Sequence, residues 1–263
     1  MAKKEIAKKE TTEIVSYNQI EGLEGIEQDM LIVPRLKLVQ KSSEEIIEFE
    51  FKAGTFCNSV TKEQIGTVPE KGVKDGAEVI VIPVKVAARS RILFKDFSDG
   101  GGIECISQDG RTGKGTPGGN CFGCSCKDWN GDEPPKCTDF INVFCMVEGY
   151  DIPIPLVLNF GKTSMKAGKS LVNLLVMGNQ SPWNLKFKLS STFVTNPSGD
   201  YFEMRIKPAG KSSEDQQVAG KGFYDMLNSL EYKIDPDIQE NAEKPTKAVE
   251  ADDYVEGEEE DAF

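Results

Sequence analysis

Seven cysteines and no histidine bound the chemistry open to this 263-residue chain. Five of the seven lie between Cys105 and Cys137, and Cys121, Cys124 and Cys126 fall within six residues. Cys121-Phe-Gly-Cys124 spaces two thiols so that one tight turn offers both to a single ion, and Gly123 frees the backbone for that turn. Cys137, behind Pro134-Pro135, supplies a third ligand and Cys105 a fourth, a closed tetrahedral set suited to structural Zn2+. Cys126 is an alternative ligand that could replace any of these. An iron–sulfur cluster and free thiols are the competing uses. Cys57 and Cys145 sit in apolar sequence and read as small buried hydrophobes. Without His there is no imidazole base, no Ser-His or Cys-His pair and no zinc-deaminase motif, so the chain reads as a non-enzyme. A carboxylate-metal nuclease would need clustered Asp and Glu, and no convincing spacing supports one.

A second pattern interleaves cations with aromatics. Lys85, Arg89, Arg91 and Lys95 accompany Phe94 and Phe97. Trp183 accompanies Lys186, Phe187, Lys188 and Phe193, and Tyr201 and Phe202 accompany Arg205 and Lys207. Single strands of nucleic acid are held by a basic groove with aromatic faces for stacking, so these cations with Trp183 and Tyr201 are candidate DNA contacts. Lys186 and Lys188 share a strand face, while Trp183 lies an odd number of positions away. Core packing is the competing role for each aromatic. The stretch Gly161-Lys-Thr-Ser-Met-Lys-Ala-Gly-Lys-Ser170 imitates a phosphate-binding loop, but six residues separate its glycines where four are required. ATP binding is therefore not expected.

Net charge is −12, which argues at first against a nucleic-acid partner. The charge is unevenly spread. Residues 234–263 hold twelve acids against Lys244 and Lys247, a net of −10, which leaves the other 233 residues at −2. A nearly neutral body can carry a basic face, and an acidic tail can compete with a polyanion for it. Glu258, Glu259, Glu260, Asp261 and Phe263 end the chain as an acidic string with a terminal aromatic. Such a string cannot fold alone, but its carboxylates suit a basic rim and its Phe a pocket on a partner protein.

The elements that must position these residues are mostly strands. Alternation or β-branched runs mark residues 35–39, 46–51, 55–60, 78–87, 89–97, 140–147 and 153–160, and residues 182–190, 191–195 and 201–207 make two or three further strands. Residues 140–147 and 153–160 pair as an antiparallel hairpin. A helix is expected over 164–177, capped by Ser164 and ended by Gly178-Asn179, and a closing helix over 219–233. Residues 98–138, rich in Gly, Pro, Asn, Asp and Cys, have no hydrophobic period and need something else, such as a metal, to order them. The expected organisation is a flexible arm over 1–28, one domain over 29–233 interrupted by the Cys-rich insertion at 98–138, and a disordered acidic tail over 234–263. No apolar run approaches the ~20 residues of a membrane span. Residues 1–10 do not read as a signal peptide, so the expectation is a cytoplasmic protein with no membrane partner.

Pro34-Arg-Leu-Lys-Leu38, Gly54-Thr-Phe-Cys-Asn-Ser-Val-Thr61 and Val79-Ile-Val-Ile-Pro-Val84, with the Cys-rich segment, resemble phage-encoded proteins found among replication and recombination functions. The tail independently resembles that of phage single-stranded DNA-binding proteins. The resemblance implies an OB-like barrel, single-stranded DNA as ligand, replication or recombination proteins recruited through the tail, and the host cytoplasm as location. It leaves a homo-oligomer open. The extra Cys126 departs from the pattern and leaves the fourth ligand open. The alternative from another class is a zinc-stabilised adaptor of the replication or transcription machinery that touches no DNA.

Overall fold

The computed structural model describes residues 21, 32–67, 75–95, 101–151, 155–197, 199–229 and 233–234. The remainder of the arm 1–28, and the tail with Glu258, Glu259, Glu260, Asp261 and Phe263, lie outside the described residues. The chain is mainly β. It runs β1 (Ile32–Val33), β2 (Leu36–Leu38), a short helix α1 (Glu44–Glu48), β3 (Phe56–Asn58) and β4 (Gln64–Ile65). Then come β5 (Asp75–Val86), β6 (Ser90–Phe94), β7 (Ile103–Ser107), β8 (Thr112–Gly115) and β9 (Gly119–Asn120). The last part holds β10 (Thr138–Val147), β11 (Leu156–Gly161), α2 (Met165–Gly178), β12 (Leu185–Asn196), β13 (Gly199–Lys211), α3 (Glu214–Ser229) and β14 (Lys233–Ile234). Among the described residues no helix is long and apolar enough to cross a membrane.

One sheet dominates, in the order β13-β12-β5-β10-β6-β7-β8-β9, with β11 also paired to β10. β10 is its junction. It pairs antiparallel with β5 over Val143–Val147, with β6 over Thr138–Phe140 and with β11 over Phe140–Cys145. Both faces of β10 are covered. Ile141, Val143, Cys145 and Val147 enter the main core, while Phe144 enters a second cluster with Phe223 and Leu227 of α3. Burial on both faces is why residues 140–147 read as a near-continuous apolar run.

The expected closed barrel does not form among the described residues. The strand path has free ends at β13 and β9. α2 packs against both β11 and β13 where closure would have to occur. Gly168 lets it sit close, since a Cβ there would lie 2.6 Å from Phe160 Cβ. The Gly-Lys-Ser that imitates a phosphate loop is thus a helix–strand contact. α2 ends at Asn179 in the left-handed conformation, φ 47°. Ser164 does not cap it, because its Oγ accepts from the Met204 N–H at 3.2 Å.

Three other expectations are corrected. Residues 46–51 do not form a strand. Glu44–Glu48 coil into α1, leaving Ile47 and Phe49 exposed, because Glu45 is drawn fully inside to ion pairs with Lys37 at 2.7 Å and Lys62 at 3.0 Å. The closing helix starts at Glu214 rather than 219. Its start is a reciprocal pair in which Ser213 N–H donates to Gln216 Oε1 and Gln216 N–H to Ser213 Oγ, a capping box. Residues 98–138 are not wholly irregular, since β7, β8 and β9 lie within them.

Burial opposes ionisation of Glu45, but hydrogen bonds from Lys37, its own backbone and Lys62 outweigh it and hold the carboxyl below the usual range. A depressed carboxyl stabilises the fold fully above its unfolded pKa, about 4.3, and loses that contribution as pH falls through the folded value. We expect Glu45→Ala to cost about 3 kcal/mol in urea unfolding at pH 7, because two lysines lose their partner. Glu45→Gln should flatten the decline of stability below about pH 4. An acid limb identical to that of the wild type would remove Glu45 from this role.

Candidate metal centre and nucleic-acid interface

The Cys-rich module grows from the β6–β7 edge of the sheet. Arg91, Ile92 and Leu93 of β6 pair with Ser107, Ile106 and Cys105 of β7. Asp109-Gly110 turns the chain back. Asp109 Oδ1 accepts from Arg111 N–H and Thr112 N–H, both at 2.8 Å, and from Ser107 Oγ at 3.0 Å. The bonds from Thr112 and Arg111 lower the Asp109 pKa to about 2. β8 then lies beside β7, with Cys105 opposite Gly115. Gly113 makes room for the first thiol, since a Cβ there would sit 2.9 Å from Cys105 Sγ.

Cys121 follows β9, its N–H donating to the Arg111 carbonyl at 2.8 Å. Asn120 Oδ1 accepts from Phe122 N–H at 2.9 Å and caps a 3-10 turn, Cys121–Gly123, that delivers Cys124. Cys137 N–H donates to the Cys126 carbonyl at 2.9 Å, and β10 begins at the next residue. The sheet therefore places Cys105 and Cys137, while the turn places Cys121 and Cys124.

Cys105, Cys121, Cys124 and Cys137 line one cavity of about 20 Å³, and Cys126 is not among its lining residues. That volume suits one ion or water. Burial raises the Cys137 thiol to about 11, and the charges of Cys126, Cys124, Cys105 and Cys121 add to the rise. Burial also raises Cys126, followed by its hydrogen bond and charge interaction with Cys124. The four sulfurs share the cavity without yet forming a binding set. Among the described residues no group of three or more Cys, Asp or Glu side chains is already disposed to hold an ion.

Arg91 lines the same cavity. It is only 9% exposed, and its Nη1 is buried without a hydrogen-bond partner. Its Nε lies 3.0 Å from Asp139 Oδ1, but the contact lacks hydrogen-bond alignment. A buried guanidinium N–H needs an acceptor, and a thiolate is a far better one than a neutral thiol. Lys127 also lines the cavity. The donor set thus fits an anionic thiolate–metal centre. Cys57 and Cys145 are fully buried in the core, with thiols pushed up to about 11 and about 12 by burial first.

The other candidate contacts separate into two regions. Lys188 stands directly across from Lys207 and Ser190 from Arg205, so the alternation of β12 and β13 gathers Lys188, Arg205, Lys207 and Tyr201 on one sheet face. Lys186 extends this row along β12. Carboxylates share the row: Lys186 contacts Glu148 at 3.1 Å, Lys188 contacts Glu78 at 2.8 Å and Arg205 contacts Glu203 at 3.0 Å. Trp183 is outside it, in a 3-10 turn against Tyr224 with ring centroids 5.0 Å apart. Phe187 and Phe202 are core. In the first group Arg91 is buried, and Lys85 Nζ donates to Asn228 Oδ1 at 2.8 Å. Arg89 and Lys95 are exposed at the two ends of β6.

Phe122 and Trp129 lie in the Cys-rich segment that carries the resemblance, but sequence reasoning did not read them as contact candidates, and both are exposed. Their signal was available: large rings in a segment without hydrophobic period have no core to enter.

The family model described as Pam3 phage gp34-like protein matches residues 3–233. The match covers most of the chain, which therefore belongs to this bacteriophage protein family. No curated protein and no solved structure matches the chain.

The burial pattern predicts thiol reactivity. In chelator-treated folded protein at pH 8, iodoacetamide should label Cys105, Cys121 and Cys124 within minutes and Cys126 and Cys137 more slowly. Cys57 and Cys145 should react only after urea is added. Mass spectrometry of the peptides reads the order, and early labelling of Cys145 would contradict its placement in β10.

Proposed function

We propose that the protein binds single-stranded DNA without catalysing a reaction, in phage replication or recombination, through an open OB-like sheet whose Cys-rich module is held by structural Zn2+. The observation that carries the DNA reading is the row Lys186, Lys188, Arg205 and Lys207 with Tyr201 on β12 and β13. Ion pairs at exposed positions hold their cations weakly. A DNA backbone would exchange Glu78, Glu148 and Glu203 for phosphates and release counterions, while the Tyr201 ring, half-buried beside the row, offers a stacking face.

Cys105, Cys121, Cys124 and Cys137 would hold the zinc, with Cys126 as the alternative ligand. The metal would supply a closed crosslink for a segment with no core of its own, so binding energy becomes local folding energy. Arg91 and Lys127 would offset the thiolate charge. The acidic segment 234–263, through Glu258, Glu259, Glu260, Asp261 and Phe263, would recruit replication or recombination proteins and compete with DNA for the basic row. The protein would act in the cytoplasm of the host cell.

The adaptor reading draws on the same ion pairs. Lys186, Lys188 and Arg205 already have carboxylates, which suits a face that never meets DNA. Oligonucleotide binding separates the two.

Labelled oligo-dT should bind at low salt and weaken steeply as salt rises. Lys188→Glu with Lys207→Glu should weaken it at least about tenfold and reduce the salt slope by roughly two phosphate contacts. Truncation after Lys233 should strengthen binding, most at low salt. Absence of any complex at low salt would favour the adaptor. For the metal, we expect about one zinc per chain. Added zinc should protect Cys105, Cys121, Cys124 and Cys137 from iodoacetamide and leave Cys126 reactive. Cys121→Ser should release the metal, Cys145→Ser should not, and Arg91→Met should weaken zinc binding about tenfold by removing an N–H donor to the thiolates. Protection of Cys126 in place of Cys105 would reassign the fourth ligand, and elemental analysis without metal would end the zinc reading.

A further inference from the structure

We propose, building on the DNA reading above, that the corner of the Cys-rich module around Phe122 is a base-stacking site for single-stranded DNA, separate from the β12–β13 row. Phe122 is 64% exposed although it sits on a rigidly tied turn. Asn120 caps that turn through the Phe122 N–H, and Cys121 N–H anchors it to the Arg111 carbonyl. A mobile loop could fold such a ring away from water, whereas this backbone holds it out.

The ring has no core to join. No residue from Gly119 to Asp139 is buried. A Cβ built at Gly119 or Gly123 would meet nothing within 4 Å, so the backbone on either side of Phe122 is open to solvent.

One cation meets the ring, and two more lie on the chain that leads into the turn. Lys127 Nζ lies 5.4 Å from the centre of the Phe122 ring, with Asp128 no nearer to it than 4.0 Å. Arg111, tied to the turn through its carbonyl, and Lys114 on β8 are exposed and have no carboxylate partner among the described residues. An aromatic face with a cation over it, held by its carboxylate only at 4.0 Å, offers what a nucleotide requires: a π-surface for the base and positive charge for its phosphate. A protein partner that buried the ring would have to bring carboxylates for the same cations. Trp129 provides the contrast. It is 67% exposed, but Asp128, Asp132 and Glu133 flank it in sequence, and their charges repel a phosphate backbone.

The test is oligo-dT anisotropy at low salt with the full-length chain. Phe122→Ala should weaken binding about 5- to 100-fold, the range expected for one lost stacked base. Phe122→Leu, which keeps an apolar side chain but no π-face, should be nearly as weak. Phe122→Trp should bind within about threefold of the wild type, and Trp129→Ala should be unchanged. A wild-type chain that binds no oligo-dT overturns the DNA reading and this site with it. A wild type that binds while Phe122→Ala and Phe122→Leu bind equally well overturns the stacking site alone and leaves Phe122 to a protein partner.

Discussion

β10 is the constraint on which the other elements depend. Ten residues of backbone serve three partner strands, and both faces of the strand are buried. Breaking its pairing would strand unsatisfied N–H and C=O groups in the core, where each is costly. Its register also reaches the candidate sites. Cys137 immediately precedes it, Asp139 pairs with Arg91, and Val143–Val147 hold β5, on which the basic row of β12 and β13 is built. The cysteine cavity and the proposed DNA face are thus placed by opposite ends of one strand.

Charge enters this fold in two ways. Glu45 is wholly buried and satisfied by two lysines, an arrangement that fixes the β2–β3–β4 corner. Arg91 is nearly as buried but keeps a guanidinium nitrogen without an acceptor, facing a space lined by thiols. The first is a completed network; the second has a carboxylate, Asp139, within 3.0 Å but leaves guanidinium N–H groups without an aligned acceptor. Buried polar groups left unmatched are rare because they are expensive, and deprotonated thiols in the cavity would give these N–H groups acceptors.

The module itself is held by local bonds. Asp109 closes one turn and Asn120 another, and Cys137 reaches back to Cys126 through its backbone. None of this buries apolar surface, which is the ordinary source of stability. A crosslink among four side chains from three places in the chain would supply what packing does not. The same lack of a core leaves Phe122 and Trp129 exposed to water.

Sequence alone determined the mainly β character, the β10–β11 hairpin, the helix over α2 with its Asn179 stop, and which cysteines belong to the module. These follow from periods, turn residues and spacing, all of which are local. The Asp109-Gly110 hairpin signal and the Ser213–Gln216 capping box were equally local, and went unread. Tertiary structure decided the rest. It turned the alternating run at 46–51 into α1, because a buried carboxylate outweighs a strand pattern. It set α2 between β11 and β13 and so kept the sheet open. It left Cys126 outside the cavity that Cys105 lines, and it drew Arg91 inside while Arg89 and Lys95 stayed at the surface. Each outcome depends on which distant groups meet, and neither spacing nor periodicity carries that information.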